Sequence, residues 1–187
     1  RTVVCGFVGG TEPSWNYRGA VESIAHRGPD ATKLHIDSPV SVGFRRLSII
    51  DLGEEANQPM FTADGASWLV FNGEVYGFKS LRQDLEKRGD LFRTRSDTEV
   101  VLNSYLEWGD EFIHHIDGMF AIAIWDEPKK KLTIVRDRLG QKPLYYASTS
   151  EGLYFGSELK CLSVCDSVPR EMDHESVFHF FTLGYIP

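Results

Sequence analysis

The sequence predicts an α+β fold built on antiparallel sheet. Three observations carry that expectation. Apolar, strand-like runs come in pairs separated by short turn signals, as hairpins require. Helical patterns fall early and late with the hairpin strands between them, unlike the strand–helix alternation of parallel sheet. The chain has 187 residues, 42% of them hydrophobic and 25% charged, an ordinary globular composition that can bury one sizeable core.

Taken in order, residues 3–8 read as a buried strand. Residues 16–26 read as a helix with Ala20, Ile24 and Ala25 on its apolar side, ended by Gly28-Pro29. Residues 32–37 and 40–45 form a hairpin about Asp37-Ser38-Pro39, followed by the apolar piece 47–51 and a polar loop at 53–59. Phe61 and the run 68–71 flank an Asp64-Gly65 turn. Residues 78–88 make an amphipathic helix with Leu81 and Leu85 four apart, stopped by Gly89. Residues 97–108 make the next helix, capped by Ser96 or Asp97, and 111–116 a short one. Strand pairs 119–125 with 131–136, and 144–147 with 153–155, precede closing helices at 157–162 and 174–183. No internal repeat or low-complexity linker divides the chain, so residues 1–187 read as one domain.

The net charge of −7 argues against a nucleic-acid backbone or an anionic membrane as the main partner. No apolar run reaches membrane-spanning length and no secretory signal is visible. Cys5, Cys161 and Cys165, an odd count without an export signal, read as reduced thiols of a cytoplasmic protein. The histidines show no metal-ligand grouping with the cysteines, so no metal site is expected.

Cys5 stands in an apolar run and is followed by Gly6, which lets backbone pack closely around it. Alone, this is more often the pattern of a buried structural cysteine. Asn72-Gly73-Glu74 follows a strand; a side-chain amide beside a glycine N–H can stabilise an oxyanion, although Asn-Gly is also a common turn. Arg46, beside an apolar segment, calls for a carboxylate partner in the protein or in a ligand. Asp97 at a helix start is a cap, or a carboxylate for an ammonium group. The run 136–143 is a charged connection between strands.

Together these stretches resemble a known family. Cys5-Gly6-Phe7, His26-Arg27-Gly28-Pro29-Asp30, Arg46-Leu47-Ser48-Ile49-Ile50-Asp51, Asn72-Gly73-Glu74-Val75-Tyr76, Ser96-Asp97-Thr98-Glu99, Gly118-Met119-Phe120-Ala121 and Arg136-Asp137-Arg138-Leu139-Gly140 occur in the order and spacing of class II glutamine amidotransferases. The chain is most similar to the N-terminal glutaminase domain of asparagine synthetases. The resemblance implies an N-terminal-nucleophile hydrolase fold, a four-layer αββα sandwich with two antiparallel sheets between helix layers. It implies hydrolysis of glutamine to glutamate and ammonia through a cysteine thioester. Cys5 would be the nucleophile, with its own α-amine as base, since such an amine has a pKa near ~8. Asn72 and Gly73 would form the oxyanion hole, Arg46 would hold the substrate carboxylate, and Glu74 and Asp97 its ammonium. Leu47 and Ile50 join the implied substrate-binding set.

No cofactor is implied for this domain; ATP and Mg are expected only in a synthetase domain that this chain lacks. Residues 180–187 resemble the join leading into that domain, so the implied partners are glutamine and the synthetase part of the same longer chain, with a homodimer allowed. One departure matters. In the family the cysteine is the first residue, whereas Arg1-Thr2-Val3-Val4 precede it here, as a leader or an artificial remnant. While they are attached, Cys5 has an amide in place of an amine. The alternative expectation is therefore a glutamine-binding or structural module without turnover.

Overall fold

The computed structural model describes residues 5–47 and 53–186. The strands are β1 (Gly6–Gly10), β2 (Ala31–His35), β3 (Ser41–Arg46), β4 (Met60–Phe61), β5 (Trp68–Val75), β6 (Gly118–Asp126), β7 (Lys131–Arg136), β8 (Tyr145–Ser148) and β9 (Leu153–Gly156). The helices are α1 (Tyr17–Ser23), α2 (Phe78–Arg88), α3 (Asp97–Trp108), α4 (Leu159–Leu162) and α5 (His174–Leu183), with short 3-10 turns at Glu54–Ala56 and Gly109–His114. One sheet has the order β2-β3-β1-β9-β8 and the other β4-β5-β6-β7; every pairing is antiparallel.

Side-chain alternation along the strands stacks the layers. Trp68 and Val70 face inward and meet Phe7, Val42, Phe44 and Phe155 of the other sheet. Leu69 and Phe71, one residue out of phase, face outward onto Val101, Leu102, Tyr105 and Phe112 beside α3. On the far side Val8 and Tyr154 face Ala20 and Val21 of α1, Ile24 just after it, and Cys161 and Leu162 of α4. The result is the helix–sheet–sheet–helix sandwich expected.

α2, α3 and α5 have the expected bounds. Ser96 is the cap of α3, its Oγ accepting from Glu99 N at 3.3 Å. Several elements differ. β1 extends through Gly9 and Gly10, because both find partners on β3 and β9; residues 3–4 lie outside the described part. The first helix is shorter, since Asn16 is its cap, accepting from Gly19 N at 2.9 Å, and helical bonding stops after Ser23. α4 begins only at Leu159, because Ser157 is tied to β1. The expected loop 53–59 holds one 3-10 turn, while the apolar piece 47–51 lies, after Leu47, outside the described residues.

Candidate active site

Cys5 sits immediately before β1, where the two sheets meet. Two of its atoms are engaged. Its sulfur accepts from Leu47 N at 3.3 Å and donates to Leu47 O at 3.4 Å. Its carbonyl oxygen accepts from Arg27 Nε at 2.9 Å. The same oxygen accepts from Asn72 Nδ2 at 3.0 Å when the amide is oriented to satisfy its neighbours, and Asn72 Oδ1 then accepts from Arg27 Nη2 at 3.3 Å. Gly6 makes this possible: a Cβ there would stand 2.8 Å from Arg27 Cδ and 2.9 Å from Arg27 Nε. Burial pushes the Cys5 thiol above its ordinary pKa, against the Leu47 hydrogen bond and the charges of Arg46, Arg27 and Lys142. A thiol held in that state needs a base to become a nucleophile. Among the described residues no histidine hydrogen-bonds to the sulfur.

Asn72-Gly73-Glu74 is not a turn following a strand. It lies within β5, in register with Ala121, Phe120 and Met119 of β6. Gly73 permits this register, since a Cβ there would lie 2.2 Å from Met119 O. The ladder also aims its N–H. Phe120 turns both its backbone groups toward Asp137: Asp137 N donates to Phe120 O at 2.8 Å, and Phe120 N donates to Asp137 Oδ2 at 3.2 Å. Gly73 opposite therefore occupies a non-hydrogen-bonded pair, and its N–H points away from β6. The neighbouring rungs on that edge are filled. Phe71 N donates to Gln58 Oε1 at 2.5 Å, and Val75 N donates to Asp97 Oδ2 at 3.3 Å. The Gly73 N–H stands between them, and Asn72 keeps a second amide hydrogen beyond the one on Cys5.

Strand alternation puts Glu74 on the same side of β5 as Asn72. Asp97, at the first turn of α3, is 4% exposed. Burial pushes its pKa up to about 6; N–H groups of Val75, Thr98 and Asp97 itself oppose the rise, and the Glu74 charge adds to it. A carboxylate so destabilised gains from a cation beside it. Glu99, which the sequence reading passed over, shapes the loop before α3. Its carboxylate accepts from Arg93 N at 2.8 Å, Thr94 N at 2.6 Å and Thr94 Oγ1 at 2.7 Å. Its place three residues after Ser96 is the signal that reveals it.

Arg46 is the last residue of β3 and is buried. Its Nη1 donates to Gly53 O at 2.9 Å and Asn57 Oδ1 at 2.5 Å, so the guanidinium anchors the loop 53–59. Gln58 binds the other end of that loop to the edge of β5 through Phe71 N and O. The charged run 136–143 is likewise more than a solvated hairpin connection: it crosses from one sheet to the other. Burial would raise the Asp137 pKa, but N–H groups of Lys142, Gln141, Phe120 and Leu139 hold the carboxyl below its usual range. This fold of the loop brings the Lys142 charge to bear on Cys5.

The structure thus brings Cys5, Leu47 and Asn72 into direct contact, with Arg46 acting on the thiol through its charge. Gly73, Glu74 and Asp97 line the adjoining stretch of β5 and the start of α3. Ile50 lies outside the described residues. Among the described residues no cluster of three or more His, Cys, Asp or Glu side chains could hold a metal ion, and no helix is long and apolar enough to cross a membrane.

A family model described as a glutamine amidotransferase domain matches residues 4–187. The chain belongs to the glutamine amidotransferase domain family. Among its relatives, asparagine synthetase [glutamine-hydrolyzing] 1 of Bacillus subtilis is 41% identical over 166 residues, covering 89% of this chain and 26% of the relative. Asparagine synthetase [glutamine-hydrolyzing] 2 of the same organism is 44% identical over 156 residues, covering 83% of this chain and 20% of the relative. This amidotransferase domain therefore spans about a quarter of the length of the curated relatives it matches. Its fold is similar to that of glutamine phosphoribosylpyrophosphate amidotransferase from B. subtilis, with a TM-score of 0.75 at 20% identity over 88% of this chain and 44% of that one.

Proposed function

We propose that this domain hydrolyses glutamine to glutamate and ammonia at Cys5, and that the ammonia serves an asparagine-synthetase-like, ATP-dependent amidation in a longer protein. The observation that carries the reading is the clamp on Cys5. Its sulfur faces the Leu47 backbone and its carbonyl is fixed by Arg27 and Asn72, while the groups suited to a carboxamide substrate gather around it.

In this reading activity requires Cys5 to be the first residue; its freed α-amine then takes the thiol proton as sulfur attacks the carboxamide carbon. The developing oxyanion is met by the second Asn72 amide hydrogen and the Gly73 N–H. The amine then returns the proton to the departing ammonia, leaving a thioester that water cleaves to glutamate. Arg46 binds the substrate carboxylate, with Leu47 and Ile50 beside it, and Glu74 and Asp97 bind the ammonium. This chemistry draws on no cofactor; ATP and Mg belong to the synthetase region. We further propose that this region covers α5, whose Phe178, Phe180, Phe181 and Leu183 are exposed.

The test is ammonia release from glutamine by protein beginning at Cys5, with Cys5→Ala as control. Turnover that the substitution abolishes is the expected result. Glutamine binding without release, in protein whose first residue is Cys5, would favour the non-catalytic alternative and overturn this reading.

A further inference from the structure

The polar chain behind Cys5 continues past Arg27 to Glu158. Arg27 Nη1 donates to Glu158 Oε1 at 3.1 Å, and His26 Nε2 lies 2.8 Å from the same oxygen. Lys160 Nζ lies 3.2 Å from Glu158 Oε2 and 3.3 Å from His26 Nδ1. Arg27 is buried, and this carboxylate is its counter-ion. Partial burial would raise the Glu158 pKa, but hydrogen bonds from Arg27, Lys160 and His26 outweigh it and hold the carboxyl below its usual range.

The backbone that carries Glu158 is fixed to the strand that begins beside Cys5. Ser157 N donates to Phe7 O at 2.9 Å, and Phe7 N donates to Ser157 Oγ at 3.0 Å. Cys161 Sγ donates to Glu158 O at 2.7 Å from the other side. The carboxylate is thus a fixed post, and Arg27 spans from it across Gly6 to the Cys5 carbonyl.

We propose that Glu158 is a positioning residue for the nucleophile: by holding Arg27 in place it fixes the Cys5 carbonyl and so the rotation of Cys5 that sets where its thiol and amine stand. The catalytic consequence rests on the glutaminase reading above; the geometry does not. Misplacing reacting groups by a fraction of an ångström lowers turnover more than it lowers substrate binding, because the substrate's carboxylate and ammonium are held by other residues.

The test compares Glu158→Gln with wild type, both beginning at Cys5. Active sites are counted with an irreversible electrophilic glutamine analogue. The expected result is kcat lower by about tenfold or more per titrated site, with KM within about threefold. Glu158→Asp, which keeps the charge, should recover part of the loss. Unchanged kcat, or a loss that only mirrors fewer titrated sites, overturns the proposal. Should Glu158→Gln fail to fold, Gly6→Ala displaces Arg27 by another route and decides in the same way. Should wild type release no ammonia, the glutaminase reading fails by itself. The rate of Cys5 alkylation by iodoacetamide then decides: a change of about fivefold in Glu158→Gln supports positioning, and equal rates overturn it.

Discussion

Two helices of similar length have opposite fates. α3 carries Asp97, Glu99, Asn103, Ser104 and Glu107 among its apolar residues, yet its first nine residues, Asp97 to Tyr105, are all buried. α5 carries Val177, Phe178, Phe180, Phe181 and Leu183, and none of its residues is buried. The more apolar helix is the exposed one. What decides burial is the surface each helix meets. α3 lies on the outer face of β5 and β6, where Leu69, Phe71 and Ile122 wait for it, and its polar groups are individually satisfied. Among the described residues nothing of that kind lies under α5. The pattern in a helix says that it has an apolar face, and the rest of the fold says what covers it.

The largest effect is expected from cutting into the buried side. Leu102→Ala should cost about 2–5 kcal/mol, because the cavity beneath α3 cannot fully collapse. Urea denaturation measures it, and a cost below ~1 kcal/mol would mean that α3 is not packed as described.

A middle-sized effect comes from the buried carboxylate of the same helix. The folded-state pKa of Asp97 is raised from 3.8 to about 6. Between those values the native state holds a proton that the unfolded chain has lost, so stability falls as pH rises through the window. Asp97→Asn should be more stable than wild type at pH 8, by on the order of 1–2 kcal/mol, with the gap closing below pH 4. Thermal melts across that range check the sign. The same substitution should raise KM for glutamine, since the ammonium loses a carboxylate.

The smallest effect is expected on the exposed side. Phe181 is 82% exposed, and Phe181→Ser should change the stability of this chain by no more than about 0.5 kcal/mol. In a protein that carries the synthetase region, the same substitution should cost more than about 1 kcal/mol, because the ring is then covered. Equal small effects in both would remove the proposed role of α5.

The layers were legible because hairpins and helical spacing are local signals. α2 and α3 were expected at their observed bounds, since Gly89 stops the one and Ser96 caps the other in the sequence. The nature of Asn72-Gly73 was not legible. A dipeptide that usually turns runs straight here because β6 pairs with it, and that contact is distant in sequence. Cys5, Asn72 and Asp97 stood out through the family resemblance. Glu158 did not, because its role depends on meeting Arg27, and no spacing rule joins residues so far apart. Asp137 looked like a surface charge until the loop around it placed four backbone N–H groups on its oxygens.

The proposed mechanism has Cys5 act with its own amine as base. It is tested most directly by measuring glutaminase rate against the fraction of chains whose first residue is Cys5, read from intact mass. A straight line through the origin is expected. Full activity in chains that still carry residues ahead of Cys5 would contradict it, and the base would have to be sought elsewhere.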